Sequence, residues 1–424
     1  MANRDLAQWL KWIKTYHDKS INYDLANVGK VAAYLAVEKF SMPVITVAGT
    51  NGKGSCIASM EALLIAHGYK VGAYTSPHMF QFNERIRINR QPITELKLCA
   101  AMQQVHVCLQ TNQNINLSPF EFATLAALLI FKQNHLDFIL LEVGLGGRLD
   151  AVNVVTNDVA VITSISLDHC AYLGKDRESI AYEKAGIIKP NAKVIFAELD
   201  MPHSAKQQAT EQNAKLLHLG DDYHFIEHEL SWDWHKAELQ FSNLPLPKFP
   251  IQNAAAALAA LSLLPALHLQ SNIVRKVFAE LKISGRFQVE LLADTEFIFD
   301  VAHNPAAIIW LINKLAQRPS AGKTLVIFAV ASTKDSLAML QAWKYPVSKW
   351  LICAPHSMRR ATPVEKLAKE LSDTQLSDVQ IGEDIAHCFQ LARAQTEPGD
   401  RVVVCGSFHT VADALTEFYK VVNI

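Results

Sequence analysis

The chain lacks an excess of either charge. Its 40 Lys and Arg stand against 41 Asp and Glu, a formal net charge of -1. It therefore has no basic field to hold a nucleic-acid backbone or an anionic membrane, and small-molecule chemistry becomes the expectation. It also lacks any C-x-x-C pair. The seven cysteines, Cys56, Cys99, Cys108, Cys170, Cys353, Cys388 and Cys405, are scattered and odd in number, and read as reduced cytosolic thiols. Long apolar runs are missing as well: the longest, near residues 254–267, is Ala-rich and interrupted by Ser262 and Pro265. The first twenty residues carry charge throughout and have no apolar signal core, so neither secretion nor membrane spanning is supported. A cytoplasmic monomer is the expectation.

What the chain does have is length and apolar content. At 424 residues it exceeds one ordinary core, and with 50% hydrophobic residues it can fill two domains and a small insert. The stretch that organises it is Ala48-Gly49-Thr50-Asn51-Gly52-Lys53-Gly54-Ser55, between an apolar run at 43–47 and a helical pattern that begins at Ser55. This reads as strand, glycine loop, helix. Glycines let the backbone turn tightly with its N–H groups inward, and the helix start offers unpaired N–H groups and a positive dipole end to an anion. Lys53 and Ser55 add the cation and the hydroxyl that a Mg-bound nucleoside triphosphate requires. The spacing departs from the common P-loop: only Thr50 and Asn51 separate the first glycine from Gly52-Lys53, and Gly54 intervenes before Ser55.

Around this loop the pattern is α/β. Leu6, Trp9, Leu10 and Ile13 fall at helical spacing, residues 20–24 read as a loop, and 55–66 followed by a strand at 69–74 complete a βαβ unit that delivers Ser76 to a nucleotide crevice. Ser118-Pro119-Phe120-Glu121 is a capping box for a helix through Phe131. A buried strand at 137–143 ends in Glu142, then a glycine-rich turn in which Arg148 and Asp150 lie close together. A carboxylate at such a strand end, beside a phosphate loop, suits Mg²⁺. The next strand, 159–165, leads to Asp168-His169, which on its own reads as a solvated turn. Lys184 reads as a helix-end lysine with Gly186 as the C-cap.

Residues 199–250 read as a small β-rich appendage whose histidines, His203, His218, His224, His228 and His235, are solvated strand residues. Asn253 opens an Ala-rich helix over 254–264. From Gly285-Arg286-Phe287 onward, strand signals at 297–301, 325–330, 350–354 and 402–405 alternate with helical patterns. Asp300, with His303-Asn304-Pro305, and Gly406-Ser407 fall at the carboxyl edge of that sheet. The fold expected is thus an N-terminal P-loop ATPase domain with a β-rich appendage, residues 1–284, and a C-terminal Rossmann-like doubly wound domain, residues 285–424.

Taken together, the loop 49–55, Thr75-Ser76-Pro77-His78, residues 142–151, Leu167-Asp168-His169, Glu183-Lys184-Ala185-Gly186, Gly285-Arg286-Phe287 and Asp300-Val301-Ala302-His303-Asn304-Pro305 closely resemble the bacterial dihydrofolate synthase/folylpolyglutamate synthase family. The match runs in order over nearly the whole chain, and the loop spacing is similar to that of the wider group of Mur-type amide ligases. The resemblance implies that Gly49, Thr50, Asn51, Gly52, Lys53, Gly54 and Ser55 hold ATP. It implies Ser76, Glu142 and His169 as Mg²⁺ ligands, two ions being expected, with Lys184 carbamylated and approaching the second. Asn253, Arg286 and Asp300 match nucleotide contacts, so that both domains would serve one site. Pterin contacts map onto Ser20, Ile21, Asn22 and Tyr23, onto Phe120, Glu121, Phe122 and Ala123, and onto Leu149, Asp150 and Ala151. His303 and Ser407 lie in motifs near the incoming glutamate. Val152 stands where the family commonly has Thr, and residues 331–333 also depart from the usual pattern.

The implied activity is ATP-dependent ligation of L-glutamate to dihydropteroate and to reduced folates through an acyl phosphate. Folylpolyglutamate synthesis alone, or another Mur-type amino-acid ligation, is the alternative. A nucleotide-sugar Mur ligase normally has a further N-terminal domain, whereas this sequence reaches its loop by residue 49. A GTPase-like switch would need Asn-Lys-x-Asp, and Asn313-Lys314-Leu315-Ala316 lacks the Asp. A non-catalytic nucleotide binder would need the loop alone, without Glu142, His169 and Lys184.

Overall fold

The computed structural model describes residues 4–16, 24–111, 115–265, 267–358, 360–376 and 378–422. The chain divides into two compact units, Met1–Leu281 and Lys282–Ile424.

The first unit is built on an eight-stranded sheet. Its strands are β1 (Val44–Ala48), β2 (Val71–Tyr74), β3 (Ile86–Ile88), β4 (Gln91–Pro92), β5 (Phe138–Glu142), β6 (Val159–Ile162), β7 (Lys193–Phe196) and β8 (Lys215–His218), in the order β4-β3-β2-β5-β1-β6-β7-β8. From β2 to β8 neighbours run parallel, and β3 and β4 form an antiparallel edge. β1, β2, β5 and β6 are buried along their whole length, which is why they read as continuous apolar runs rather than alternating ones. Register places Val47 beside Glu142 and Ala48 beside Ile162. The loops that follow β1, β5 and β6 therefore leave the sheet at one carboxyl edge, where parallel sheets present their ligands.

The helices conform to their end signals. Ser118 Oγ accepts the Glu121 N–H at 3.2 Å and Glu121 Oε2 accepts the Ser118 N–H at 2.6 Å, with Pro119 in the first turn, so the capping box opens the helix Pro119–Lys132 as its sequence requires. Gly68, at φ +88°, ends the helix Lys53–Ala66 beyond His67. Gly186 is the C-cap that the sequence indicates, and it closes Arg177–Ala185 in ordinary right-handed geometry. Packing is what demands glycine there, because a Cβ would lie 2.6 Å from Arg148 Cα.

The β-rich appendage is smaller than its sequence suggests. Residues 203–211 are a helix, and Lys215–His218 joins the main sheet as β8, parallel to β7. Only β9 (His224–Glu227), β10 (Ser231–Lys236) and β11 (Leu239–Pro245) form a separate antiparallel sheet. Trp232 and Trp234 are buried on one face of β10, and the indole N–H groups donate to Pro245 O and Ala255 O, tying the sheet to the Ala-rich helix Ile251–Leu261. The short run Lys215–His218, next to alternating segments, resembles them because only one of its four residues is buried.

In the second unit β12 (Gln288–Leu292) pairs antiparallel with β13 (Thr295–Phe299). β14 (Thr324–Phe328), β15 (Lys349–Ile352), β16 (Val379–Ile381) and β17 (Arg401–Cys405) complete a six-stranded sheet in the order β12-β13-β17-β14-β15-β16. Both units are thus mixed α/β sheets.

Candidate active site

The glycine loop is shaped by two positions that tolerate no side chain. Gly49, at φ +151°, would place a Cβ 1.9 Å from Thr163 Oγ1, and Gly52, at φ +87°, would place one 2.2 Å from Asn253 Oδ1. Around them the loop is stitched to the segment after β6. Thr50 N–H donates to Ser164 O at 2.7 Å, Asn51 N–H to Ser164 Oγ at 2.9 Å, and Thr163 Oγ–H to Asn51 O at 2.7 Å. Lys53 Nζ folds back onto the loop carbonyls of Gly49 (3.0 Å) and Thr50 (3.3 Å). Gly52 caps the helix Lys53–Ala66 through its backbone, and no side chain caps that N-terminus among the described residues. Its first-turn amides and dipole face the loop, an anion-binding arrangement.

Glu142, at the end of β5, is buried, and its Oε2 accepts the Ser76 N–H at 3.1 Å. A Cβ on Gly54 would stand 3.7 Å from that same oxygen, so the glycine loop and this carboxylate are neighbours. Arg85 joins this corner of the site without any mark in the sequence. Its guanidinium donates through Nε to His78 Nδ1 at 2.9 Å and lies over the Phe82 ring, and burial lowers its pKa against the opposing influence of Tyr74 and Glu142. Nothing in the run 81–85 marks this Arg as special. Only the pairing of β3 with β2, which brings Arg85 O to Thr75 N at 2.8 Å, puts it beside Ser76.

After β5 the turn 144–150 is held by Asp150. Its Oδ2 accepts the N–H groups of Gly144 (2.9 Å) and Leu145 (2.8 Å), and Oδ1 accepts that of Val152 (3.1 Å). Burial pushes the Asp150 carboxyl up to about 6, against the pull of those three N–H groups and of Lys53. Phe120 covers Gly144 so closely that a Cβ there would meet the ring at 2.6 Å, and its ring lies 5.9 Å from that of Tyr74. On the far side of the turn, Arg148 pairs with Glu183 at 2.8 Å and donates its N–H to Glu183 O at 2.7 Å. A Cβ on Gly147 would lie 2.9 Å from Lys184 O. Lys184 itself is 3% exposed.

Asp168 and His169 follow β6. His169 adopts the left-handed conformation, φ +52°, rare for a residue with a side chain, and its N–H donates to Asp168 Oδ1 at 2.8 Å. Its side chain is 37% exposed.

The remaining expected residues divide by position. Ser55 is buried in the first turn of its helix, and Asn253 is buried against Gly52. Phe122 lies in the core against Trp9 and Trp12, Ala123 and Ala151 are buried, Leu149 is half-buried, and Glu121 is engaged in its capping box. Ser20, Ile21, Asn22 and Tyr23 lie outside the described residues. In the second unit Asp300 is buried, accepts Phe287 N–H at 2.8 Å and Ala302 N–H at 2.9 Å, and is pushed up to about 6 by burial against the pull of Arg286. Arg286 lies over the Phe408 ring. His303 donates from Nδ1 to Val301 O at 2.8 Å. Ser407 caps the last helix by accepting Thr410 N–H at 3.0 Å.

These donors fit a hard divalent cation. A buried carboxylate, a hydroxyl-bearing residue held to it through its backbone, and an adjacent glycine loop at a helix start make the oxygen-rich, anion-binding surroundings that suit Mg²⁺ with a nucleotide. Among the described residues no three His, Cys, Asp or Glu side chains converge on one point as a self-sufficient metal cage.

A mixed sheet with this glycine loop and strand-end carboxylate, followed by a second α/β unit, is the arrangement of the Mur ligases. The Mur ligase middle domain matches residues 47–261, and the Mur ligase glutamate ligase domain matches residues 285–408. The dihydrofolate synthase/folylpolyglutamate synthase of Escherichia coli is 40% identical over 98% of this chain and 96% of its own. That of Haemophilus influenzae is 36% identical over 100% and 98%. Among solved structures, E. coli FolC in complex with DHPP and ADP superposes with a TM-score of 0.93 at 39% identity, covering 99% of both chains. A bifunctional folylpolyglutamate synthase/dihydrofolate synthase with Mn, AMPPNP and L-glutamate bound gives 0.90 at 38%, covering 98% of both. The chain belongs to the dihydrofolate synthase/folylpolyglutamate synthase family.

Proposed function

We propose that the chain ligates L-glutamate to the carboxyl group of dihydropteroate, giving dihydrofolate, and to reduced folates, giving polyglutamates, at the expense of ATP. The observation that carries this reading is the joining of Glu142 and Ser76 to the glycine loop 49–55 in a chain that matches such synthases end to end. A substrate carboxylate attacks the ATP γ-phosphoryl in line to give an acyl phosphate and ADP. The amine of glutamate then opens it to the amide, releasing phosphate. Activation is needed because a carboxylate is a poor acyl donor.

The chain's own residues supply position and charge. The loop amides and the helix start cradle the phosphates, in the manner of a P-loop, and Lys53 leaves its two carbonyl partners to meet them. Glu142, Ser76 and His169 would hold Mg²⁺, and Lys184, carbamylated by CO₂, would turn from a cation into a carboxylate toward a second ion. When bound, the metal neutralises charge on the transferring phosphoryl group. Asn253, Arg286 and Asp300 are assigned to the nucleotide. Phe120 and Asp150 with its turn are assigned to the pterin, and His303 to glutamate. Ser407 is a weaker candidate for glutamate, since its hydroxyl already caps a helix. The second unit is read as a Rossmann-like doubly wound sheet. A cytoplasmic monomer completes the reading; the seven free cysteines accord with a reducing compartment.

ADP release measured separately with dihydropteroate and with tetrahydrofolate tests the reading. Release should require both the pterin acid and L-glutamate. No stimulation by either acid rejects the function, and stimulation by tetrahydrofolate alone removes the dihydrofolate synthase half.

A further inference from the structure

The segment 163–166, between β6 and His169, is gripped from two sides. Toward the phosphate loop it presents Thr163 and Ser164, bonded to Asn51, and Ser166, whose N–H donates to Thr50 Oγ1 at 3.0 Å. Ile165 points the other way. Its N–H donates to Glu198 Oε2 at 3.0 Å and its carbonyl accepts from Arg177 Nε at 2.9 Å. Arg177 closes the triangle by donating from a terminal nitrogen to that same Glu198 oxygen at 2.9 Å.

Both polar groups of one backbone residue are thus satisfied by the two members of an ion pair from distant parts of the chain. Glu198 stands just beyond β7, where its own carbonyl bonds His218 Nε2 at 2.8 Å. Arg177 opens the helix Arg177–Ala185, and is itself steadied by the side chain and the carbonyl of Asp200. Ile165 precedes His169 by four residues. Arg177 precedes Lys184 by seven, two helical turns along one face. A single ion pair therefore fixes the strand exit that leads to His169 against the helix that carries Lys184.

We infer that Arg177 and Glu198 are positioning residues for the metal arm of the site, setting His169 and Lys184 relative to the phosphate loop through the backbone of Ile165. As a partly exposed ion pair they would contribute little to stability. As an outer support for metal-side residues they control affinity, because such supports fix the direction of the groups they hold. The inference rests on the proposed metal-side roles of His169 and Lys184.

The test uses the full chain with Arg177→Met, Glu198→Gln and the double substitution. Mn²⁺ is titrated by electron paramagnetic resonance in the presence of a non-hydrolysable ATP analogue, and metal-free ADP binding and thermal melting are measured alongside. Each single variant should bind Mn²⁺ about 10-fold more weakly or worse. The double variant should be no weaker than the weaker single, since the pair acts as a unit. Metal-free ADP affinity should stay unchanged, and Arg177→Lys, which keeps the charge but loses the fork, should fall between. Lowered melting with undiminished Mn²⁺ affinity would reduce the pair to a structural tie and overturn the inference. A wild-type protein that binds ADP but no Mn²⁺ would instead remove the metal-side reading of the site. Should Arg177→Met not fold, the comparison of Arg177→Lys with Glu198→Gln decides the question by the same titration.

Discussion

Asn253 occupies the space that a side chain on Gly52 would need. A Cβ on Gly52 would lie 2.2 Å from Asn253 Oδ1, and Gly52 also holds φ +87°. The first turn of one helix and the tip of the glycine loop are therefore packed in contact, across 201 positions of sequence. Gly52→Ala meets strain and collision together. The strain alone costs about 1–3 kcal/mol. Displacement of the loop by an ångström should weaken turnover about 10²-fold. ADP binding by calorimetry and ADP release under saturating substrates check this; unchanged values for both would show that the loop gives way without consequence. Asn253→Ala, which only opens space, should keep the fold and lose mainly nucleotide affinity.

Asp150 gives a pH dependence with two opposite signs. Its folded-state pKa, about 6, lies above the ordinary 3.8, so the folded chain holds this proton more tightly than the unfolded one. The contribution of Asp150 to stability therefore declines as pH rises from about 4 to about 6 and is level above that. Function runs the other way. Protonation below about pH 6 removes the negative charge that strengthens the bonds from the Gly144, Leu145 and Val152 N–H groups, and the turn loosens. In the free enzyme kcat/KM for the pterin acid should fall on the acid side of about pH 6. Asp150→Asn should lower it at every pH and abolish that limb. A limb that persists in the variant assigns it to another group. Chemical denaturation at pH 4.5 and pH 7 should show the wild type losing ground to the variant as pH rises.

Gly186→Ala separates packing from capping. Since Gly186 is not left-handed, a Cβ brings no backbone penalty, only its collision with Arg148 Cβ at 2.3 Å and Cα at 2.6 Å. Overpacking of this kind costs about 1–3 kcal/mol, read as a lowered midpoint in urea. Arg148 would be driven from Glu183, and the turn 146–148 from the backbone of Lys184. Turnover should fall further than the lost stability accounts for. A stability change without a turnover change would uncouple the turn from the reaction.

How much of this was legible depends on how far apart the partners lie. β1, β5 and β6 are buried on both faces, so each appears as an unbroken apolar run, and the glycine loop announces itself by composition. The capping box spans four residues and is written in full. The hydroxyls of Thr163 and Ser164 went unnoticed because their partner, Asn51, is more than a hundred residues away and Ser and Thr beside a strand are ordinary. Arg85 was hidden for the same reason. The appendage reads larger in the sequence than it is because an edge strand such as β8, with one buried residue in four, leaves the same alternating trace as a free hairpin. Asp168-His169 is bland as a dipeptide, and only the resemblance raised it. The left-handed backbone of His169 is a physical mark that no sequence pattern displays.

Lys184 is the most exacting test of the metal side. Its side chain belongs to a residue 3% exposed, and its carbonyl lies 2.9 Å from where a Cβ on Gly147 would be, so it is built into the wall of the glycine turn. An amine held near a divalent cation would repel it, whereas the carbamate formed with CO₂ is an anion and attracts it. Lys184→Ala should lower turnover about 10²-fold or more, the scale on which loss of one preorganised electrostatic group is felt. Because the substitution leaves room where the proposed carbamate would stand, formate or acetate should restore part of the rate, and raised bicarbonate should not. In the wild type, depletion of CO₂ should depress the rate reversibly. Full activity in Lys184→Ala would reject the carbamate. Loss without rescue by any small acid, together with indifference to CO₂ in the wild type, would make Lys184 a structural lysine.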